Sequence, residues 1–152
     1  MRKSKTYNGA GIYGLYNLMD DAIYIGASQN IAARFTQHRW NFKNKSKVNP
    51  MYNEPIDNFV FLVLYKMSKK DFKQFGIMFE ALFITKAKFD RMKLYNGNKV
   101  SDNATGYVLS AFGIWDRIKE SIIEETGANP WQIRLMTDKT KKKILASYKG
   151  AC

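Results

Sequence analysis

The sequence is poor in the residues that build redox and multi-ligand metal chemistry. Its only cysteine, Cys152, excludes an internal disulfide and a thiolate metal cluster. Its only histidine, His38, excludes a site built on several imidazoles. The longest apolar runs, Phe59–Tyr65 and Phe75–Ile84, fall well short of the roughly 20 residues of a spanning helix. The basic start, MRKSKTYNGAG, is not followed by the apolar stretch of a signal peptide, and the expected location is the cytoplasm. Acidic residues are also scarce: 13 Asp and Glu stand against 25 Lys and Arg, a net charge of +12. A small protein with that excess has a polyanionic partner or an anionic surface to sit on.

What is present is otherwise an ordinary globular composition. The 152 residues are 45% hydrophobic, enough for one domain and a small appendage. Two short β-rich runs, Ala10–Asn17 and Ala22–Ser28, flank Leu18-Met19-Asp20-Asp21 and predict a hairpin. Ser28 or Asn30 can cap a helix running to about Asn44. A polar loop broken at Asn49-Pro50 and Glu54-Pro55 leads to a buried third strand, Asn58–Tyr65. Ser68 then caps a long helix, Lys69–Phe89, whose Phe72, Phe75, Phe79, Leu82 and Phe83 recur at helical spacing. Leu94–Asn98 reads as a turn.

The expected fold class is α+β. A small three-stranded antiparallel sheet flanked by helices occupies residues 1–100, and a helical extension occupies 101–152. In the extension, Ser110 can cap a helix that ends at Gly127, and Asn129-Pro130 can start another, with Lys141-Lys142-Lys143 following. Helix, glycine turn and helix fit a DNA-reading unit or a cap on the core. Phe112, Ile114 and Trp115 fit burial on that core or a dimer contact.

The positive charge is concentrated early. The first fifty residues carry 8 basic and 2 acidic residues. Among them Arg39, Lys43, Lys45 and Lys47 alternate with Trp40 and Phe42. That pattern suits phosphate contact with some stacking, or simply a solvated helix end.

Three polar groups sit where apolar ones belong. A four-residue hairpin loop sets Tyr13 opposite Gly26 and Tyr24 opposite Leu15, which makes the two phenols diagonal neighbours ~7–8 Å apart on one face. Gly26 then removes a side chain where another group must approach. On the first helix the inward stripe is expected to be Ile31, Arg34, Phe35, His38 and Phe42, and a guanidinium there needs an anion or a full set of acceptors. In Phe75–Ile84, FGIMFEALFI, Glu80 is the one polar side chain. A carboxyl so placed stays protonated or needs a cation, either Arg34 or a Mg²⁺ ion, which takes one or two carboxylates and keeps several waters.

Taken together, Gly11-Ile12-Tyr13, Tyr24-Ile25-Gly26, Ser28, Arg34, His38, Glu80 and Leu94-Tyr95-Asn96 resemble the GIY-YIG nuclease family, over about residues 10–98. One departure is the short, proline-broken stretch Val48–Asp57, where family members often carry another helix. The resemblance implies a DNA endonuclease that hydrolyses a phosphodiester with one Mg²⁺ or Mn²⁺ per active site, held by Glu80. It implies Tyr13 as general base or orienter of the attacking water, and Tyr24 fixing that water or the phosphate. Arg34 would neutralise growing charge, and His38 would position Tyr13 or relay its proton. Asn96 would be the family's late asparagine, with Asn98 close enough to take the same role.

DNA is the expected partner, with Arg39, Lys43, Lys45, Lys47, Lys141, Lys142 and Lys143 as candidate contacts. One such site cuts one strand, so cutting both needs a homodimer or two encounters. Compact size and a Lys- and Asn-rich composition favour a freestanding phage-type or mobile-element (homing-type) endonuclease, in the cytoplasm of a bacterial host if phage-encoded. A restriction endonuclease and a non-catalytic nucleic-acid-binding module are the alternatives.

Overall fold

The structure, a computed structural model, describes residues 7–89, 92–96, 114–133 and 135–148, with the backbone alone at 88, 89, 114–116, 130 and 131. Strands β1 (Ala10–Asn17) and β2 (Ala22–Ser28) form the hairpin, with Tyr13 opposite Gly26 and Leu15 opposite Tyr24. Its loop is held by Asn17, whose Oδ1 accepts from the backbone N–H groups of Met19 (3.0 Å) and Asp20 (3.1 Å). A short polar side chain folding back on its own turn in this way fixes the loop length and hence the register.

β3 (Phe59–Met67) pairs antiparallel with the other side of β1, and β4 (Lys93–Leu94) pairs parallel with β2, giving the order β3-β1-β2-β4. The sheet therefore has four strands and is mixed, where three antiparallel strands were expected. A two-residue strand carries no periodicity, so the segment that supplies β4 reads as a turn. Its pairing is prolonged by Tyr95 N–H donating to the Ile23 carbonyl (2.9 Å).

Helix α1 (Ile31–Lys43) begins at Asn30, whose Oδ1 accepts from Ala33 N–H (3.1 Å). It buries Ile31, Phe35, His38 and Phe42 on the face that carries Tyr13 and Tyr24. Phe35 meets Phe61 edge-on at 5.1 Å and Phe42 meets Phe59 at 4.8 Å. Arg34 is not part of this stripe, contrary to the expectation: it is exposed. Spacings of four, three and four bring 31, 35, 38 and 42 inward, and Arg34 falls on the flank, where its guanidinium keeps its water. Between α1 and β3, two short 3₁₀ turns (Pro50–Asn53 and Ile56–Asn58) replace the expected open loop, and the first buries Met51 and Tyr52.

Helix α2 (Lys69–Phe89) starts at Ser68, whose hydroxyl accepts from Asp71 N–H (3.0 Å). It crosses the opposite face of the sheet. A register shift between Ile12 and Tyr13 leaves Leu64 unmatched in β1 and turns Tyr65 toward α2, where it stacks on Phe79 (5.1 Å, 22°). Gly11 sits at this bulge with φ +156°, and a Cβ there would strike the Tyr65 carbonyl. Only glycine fits.

The extension comprises α3 (Ile114–Thr126), α4 (Pro130–Ile133) and α5 (Asp138–Tyr148). α3 stops at Gly127 (φ +73°), as the sequence predicts. Ile118, Ile122, Ile133 and Tyr148 belong to the same buried cluster as the sheet. An outer strand such as β3 presents backbone groups that invite pairing with another chain. Here Arg117 Nε donates to the Leu64 carbonyl (2.8 Å), Ser121 Oγ donates to that of Val63 (3.3 Å), and the Tyr148 hydroxyl accepts from Phe61 N–H (2.8 Å). Lys141, expected to contact DNA, is buried instead, and its Nζ donates to the Met19 carbonyl in the hairpin loop (3.0 Å). Burial of its stem and a carbonyl partner for its head tie α5 to the hairpin. The expectations for Asn98, Ser110 and Phe112, and for the side chains of Ile114 and Trp115, concern positions outside those described.

Tyr148→Phe leaves the buried Phe61 N–H without a partner and is expected to destabilise the protein by about 1–3 kcal/mol. Urea unfolding followed by tryptophan fluorescence measures it.

Candidate active site

Three rings meet between α1 and the hairpin. Tyr13 and Tyr24 lie 6.3 Å apart between ring centroids, and His38 is 5.4 Å from each. Strand register places the phenols, and the third turn of α1 lowers the imidazole onto them. Gly26 makes the arrangement fit, because a Cβ there would collide with Cζ and the hydroxyl of Tyr13. The Tyr13 hydroxyl is 2.8 Å from His38 Nε2, and His38 Nδ1 is 2.8 Å from the Tyr52 hydroxyl, to which Asn41 Nδ2 donates at 3.1 Å.

Burial governs the charges here. It pushes the Tyr13 phenol above its ordinary range, with Tyr24 adding to the effect and the Arg34 charge opposing it. Tyr13 is therefore a neutral phenol at pH 7. His38 is lowered to about 4, first by burial and then by Arg34, so it is a neutral imidazole with one donor and one acceptor nitrogen. Because its folded pKa lies below the ordinary 6.5, the unfolded chain binds a proton that the folded one refuses. The stability from neutral His38 is present above pH 6.5 and is lost as pH falls toward 4, to a limit of about 3 kcal/mol. Urea unfolding at pH 7 and pH 4 should show His38→Gln losing less stability on acidification than the wild type.

Glu80 comes from α2 and is half-buried. Burial raises its carboxyl, while a hydrogen bond from the Ala27 backbone and the charge of Arg34 hold it down. Tyr24 is raised first by burial and then by the Glu80 charge, and Arg34 lowers it. Arg34 thus acts electrostatically on Tyr13, Tyr24, His38 and Glu80, and Glu80 acts on Tyr24, although the five come from two strands and two helices. Among the described residues no group of three or more His, Cys, Asp or Glu could hold a metal. A single partly desolvated carboxylate that is still half-exposed suits an ion that keeps most of its waters, as Mg²⁺ does. The donor set fits that class and excludes a closed structural zinc site.

Asn96 lies beside the rings rather than among them. Its Oδ1 accepts from Ile25 N–H (2.9 Å) and its Nδ2 donates to the Ile25 carbonyl (2.7 Å). Both ends of the amide grip β2 between Tyr24 and Gly26, extending the β4 pairing by one side chain. Of the basic residues, Lys43, Lys45, Lys47, Lys142 and Lys143 are exposed. Arg39 is half-exposed, with its guanidinium over the Phe61 ring at 5.7 Å. Sequence reasoning missed Tyr52 and Asn41. The only signal for Tyr52 was an aromatic residue inside an otherwise polar, proline-broken loop.

No helix among the described residues is long and apolar enough to cross a membrane. No curated protein and no solved structure matches the chain. The model of the GIY-YIG catalytic domain family does match, over residues 9–96. That span starts just before β1 and ends at Asn96, so it takes in every residue of the ring cluster together with Arg34 and Glu80. With more than half of its length matched, and with this sheet and this cluster, the chain belongs to the GIY-YIG nuclease family.

Proposed function

We propose that the protein is a metal-dependent DNA endonuclease of the phage or mobile-element type. The observation that carries this reading is the single cluster in which Tyr13, Tyr24 and His38 pack together within electrostatic reach of Arg34 and Glu80. A binding module has no need to keep a half-buried carboxylate beside buried phenols, at a cost in stability. The phage or mobile-element assignment draws on the compact size and the Lys- and Asn-rich composition.

Glu80 would hold the divalent ion. When bound, that ion supplies Lewis-acid stabilisation of charge on the phosphate and the leaving oxygen. Tyr13, neutral and fixed by His38, offers its oxygen to orient the attacking water rather than standing as a phenolate. Tyr24, half-buried beside Tyr13, holds the water or a phosphate oxygen. Arg34, exposed on the flank of α1, is free to meet the scissile phosphate and stabilise charge that grows on it. Exposed Lys43 at the end of α1 and Lys45 and Lys47 just beyond it, with Arg39 one turn before, contact the backbone of the same duplex, while exposed Lys142 and Lys143 on α5 offer further phosphate contacts.

Product chemistry tests the reading. A labelled duplex cut by the purified protein in Mg²⁺ should carry 5′-phosphate and 3′-hydroxyl ends that DNA ligase reseals. A 3′-phosphate, or cutting undiminished by EDTA, contradicts it.

A further inference from the structure

The hydrogen bonds behind Tyr13 have a direction as well as a length. Asn41 Nδ2 can only donate, and it points at the Tyr52 hydroxyl (3.1 Å). At the other end of that amide, Asn41 Oδ1 accepts from Gln37 Nε2 at 3.5 Å. A tyrosine hydroxyl has one hydrogen to give. With Asn41 donating to it, Tyr52 spends that hydrogen on His38 Nδ1, 2.8 Å away. A neutral imidazole that accepts at Nδ1 carries its own hydrogen on Nε2, and Nε2 faces the Tyr13 oxygen at 2.8 Å.

We infer that Tyr52, held by Asn41, is a positioning residue that locks His38 as its Nε2–H tautomer, so that His38 donates to Tyr13 and does not take the Tyr13 proton. The catalytic consequence rests on the nuclease reading; the tautomer does not. The Tyr13 hydrogen is turned away from His38, to the side where Tyr24 lies. The Tyr13 oxygen is held in place by an N–H donor in a buried setting, where such a bond is strong. Of the two roles open to His38, positioning and proton relay, this order of donors selects positioning. Reversing the Asn41 amide would reverse every bond in the chain, so one observation at His38 decides the matter.

His38 is the only histidine among the 152 residues, so ¹⁵N-histidine labelling gives a single imidazole. Two-bond ¹H–¹⁵N correlation at pH 7 should show a protonated Nε2 and an unprotonated Nδ1 in the wild type, and a mixture of tautomers in Tyr52→Phe. A wild-type imidazole protonated at Nδ1, or mixed, overturns the inference. In plasmid cleavage, Tyr52→Phe should lower kcat about tenfold with KM unchanged, the equivalent of one lost hydrogen bond in the transition state. A tautomer that shifts in Tyr52→Phe while kcat does not overturns the positioning role and leaves the nuclease reading intact. Failure of the wild type to cut any DNA overturns that reading, and the imidazole signal still decides the tautomer.

Discussion

Glu80→Gln is expected to lower DNA cleavage by about a thousand-fold or more while leaving DNA binding in place. The proposed ion contributes several kcal/mol of charge stabilisation, each 1.36 kcal/mol of which is tenfold in rate. The basic residues that bind the backbone lie elsewhere, so affinity and its dependence on salt should persist. Stability should move the other way. Burial holds the Glu80 carboxyl above its ordinary value in the folded protein, so whatever stability the protonated group contributes is lost as pH rises through the folded pKa. At neutral pH in a chelator, glutamine removes that cost, and thermal unfolding should come at a higher temperature in the variant than in the wild type. Mg²⁺ should then stabilise the wild type alone. A variant less stable than the wild type in EDTA would show that Glu80 serves the fold and not the metal.

Tyr13→Phe is expected to lower cleavage on the order of 100-fold or more, because the attacking water loses the oxygen that orients it. It also leaves the His38 donor buried without its partner, at a cost of about 1–3 kcal/mol. Gly26→Ala provides the independent check, since it keeps the phenol and displaces it. The new methyl group would occupy the space of the Tyr13 ring end, and an overpacked site of this kind costs about 1–3 kcal/mol. Cleavage should fall to a similar degree. Wild-type cleavage by a folded Gly26→Ala variant would mean that the position of Tyr13 does not limit the reaction.

Much of the site was readable from local rules. Loop length sets strand parity, so the four residues between β1 and β2 were enough to place Tyr13 opposite Gly26 and Tyr24 diagonal to it. Asn30 and Ser68 announce the starts of α1 and α2, because each satisfies backbone donors that a helix leaves orphaned. Glu80 stood out because one charge interrupts an apolar run.

The parts that were not readable depend on distance. Adjacency on a helical wheel sets Arg34 beside the buried stripe but does not say which flank meets the sheet. β4 is held by two residues of backbone pairing and the Asn96 amide, neither of which leaves a pattern in sequence. Tyr52 reaches His38 across a loop of 3₁₀ turns. Arg117, Ser121 and Tyr148 act on the backbone of β3 from more than fifty residues away, and no periodicity records a side chain that replaces a missing strand. Lys141 looked like one of three equivalent lysines until helix phase put it inside and its neighbours out.

The measurement that bears most directly on the central claim is incubation of supercoiled plasmid with the wild type, Glu80→Gln and Tyr13→Phe, each in Mg²⁺ and in EDTA. The proposed chemistry predicts nicked or linear product with the wild type in Mg²⁺ alone, and little or none from either variant. Salt-sensitive plasmid binding by the wild type without metal-dependent cleavage, or cleavage that survives Glu80→Gln, would contradict it.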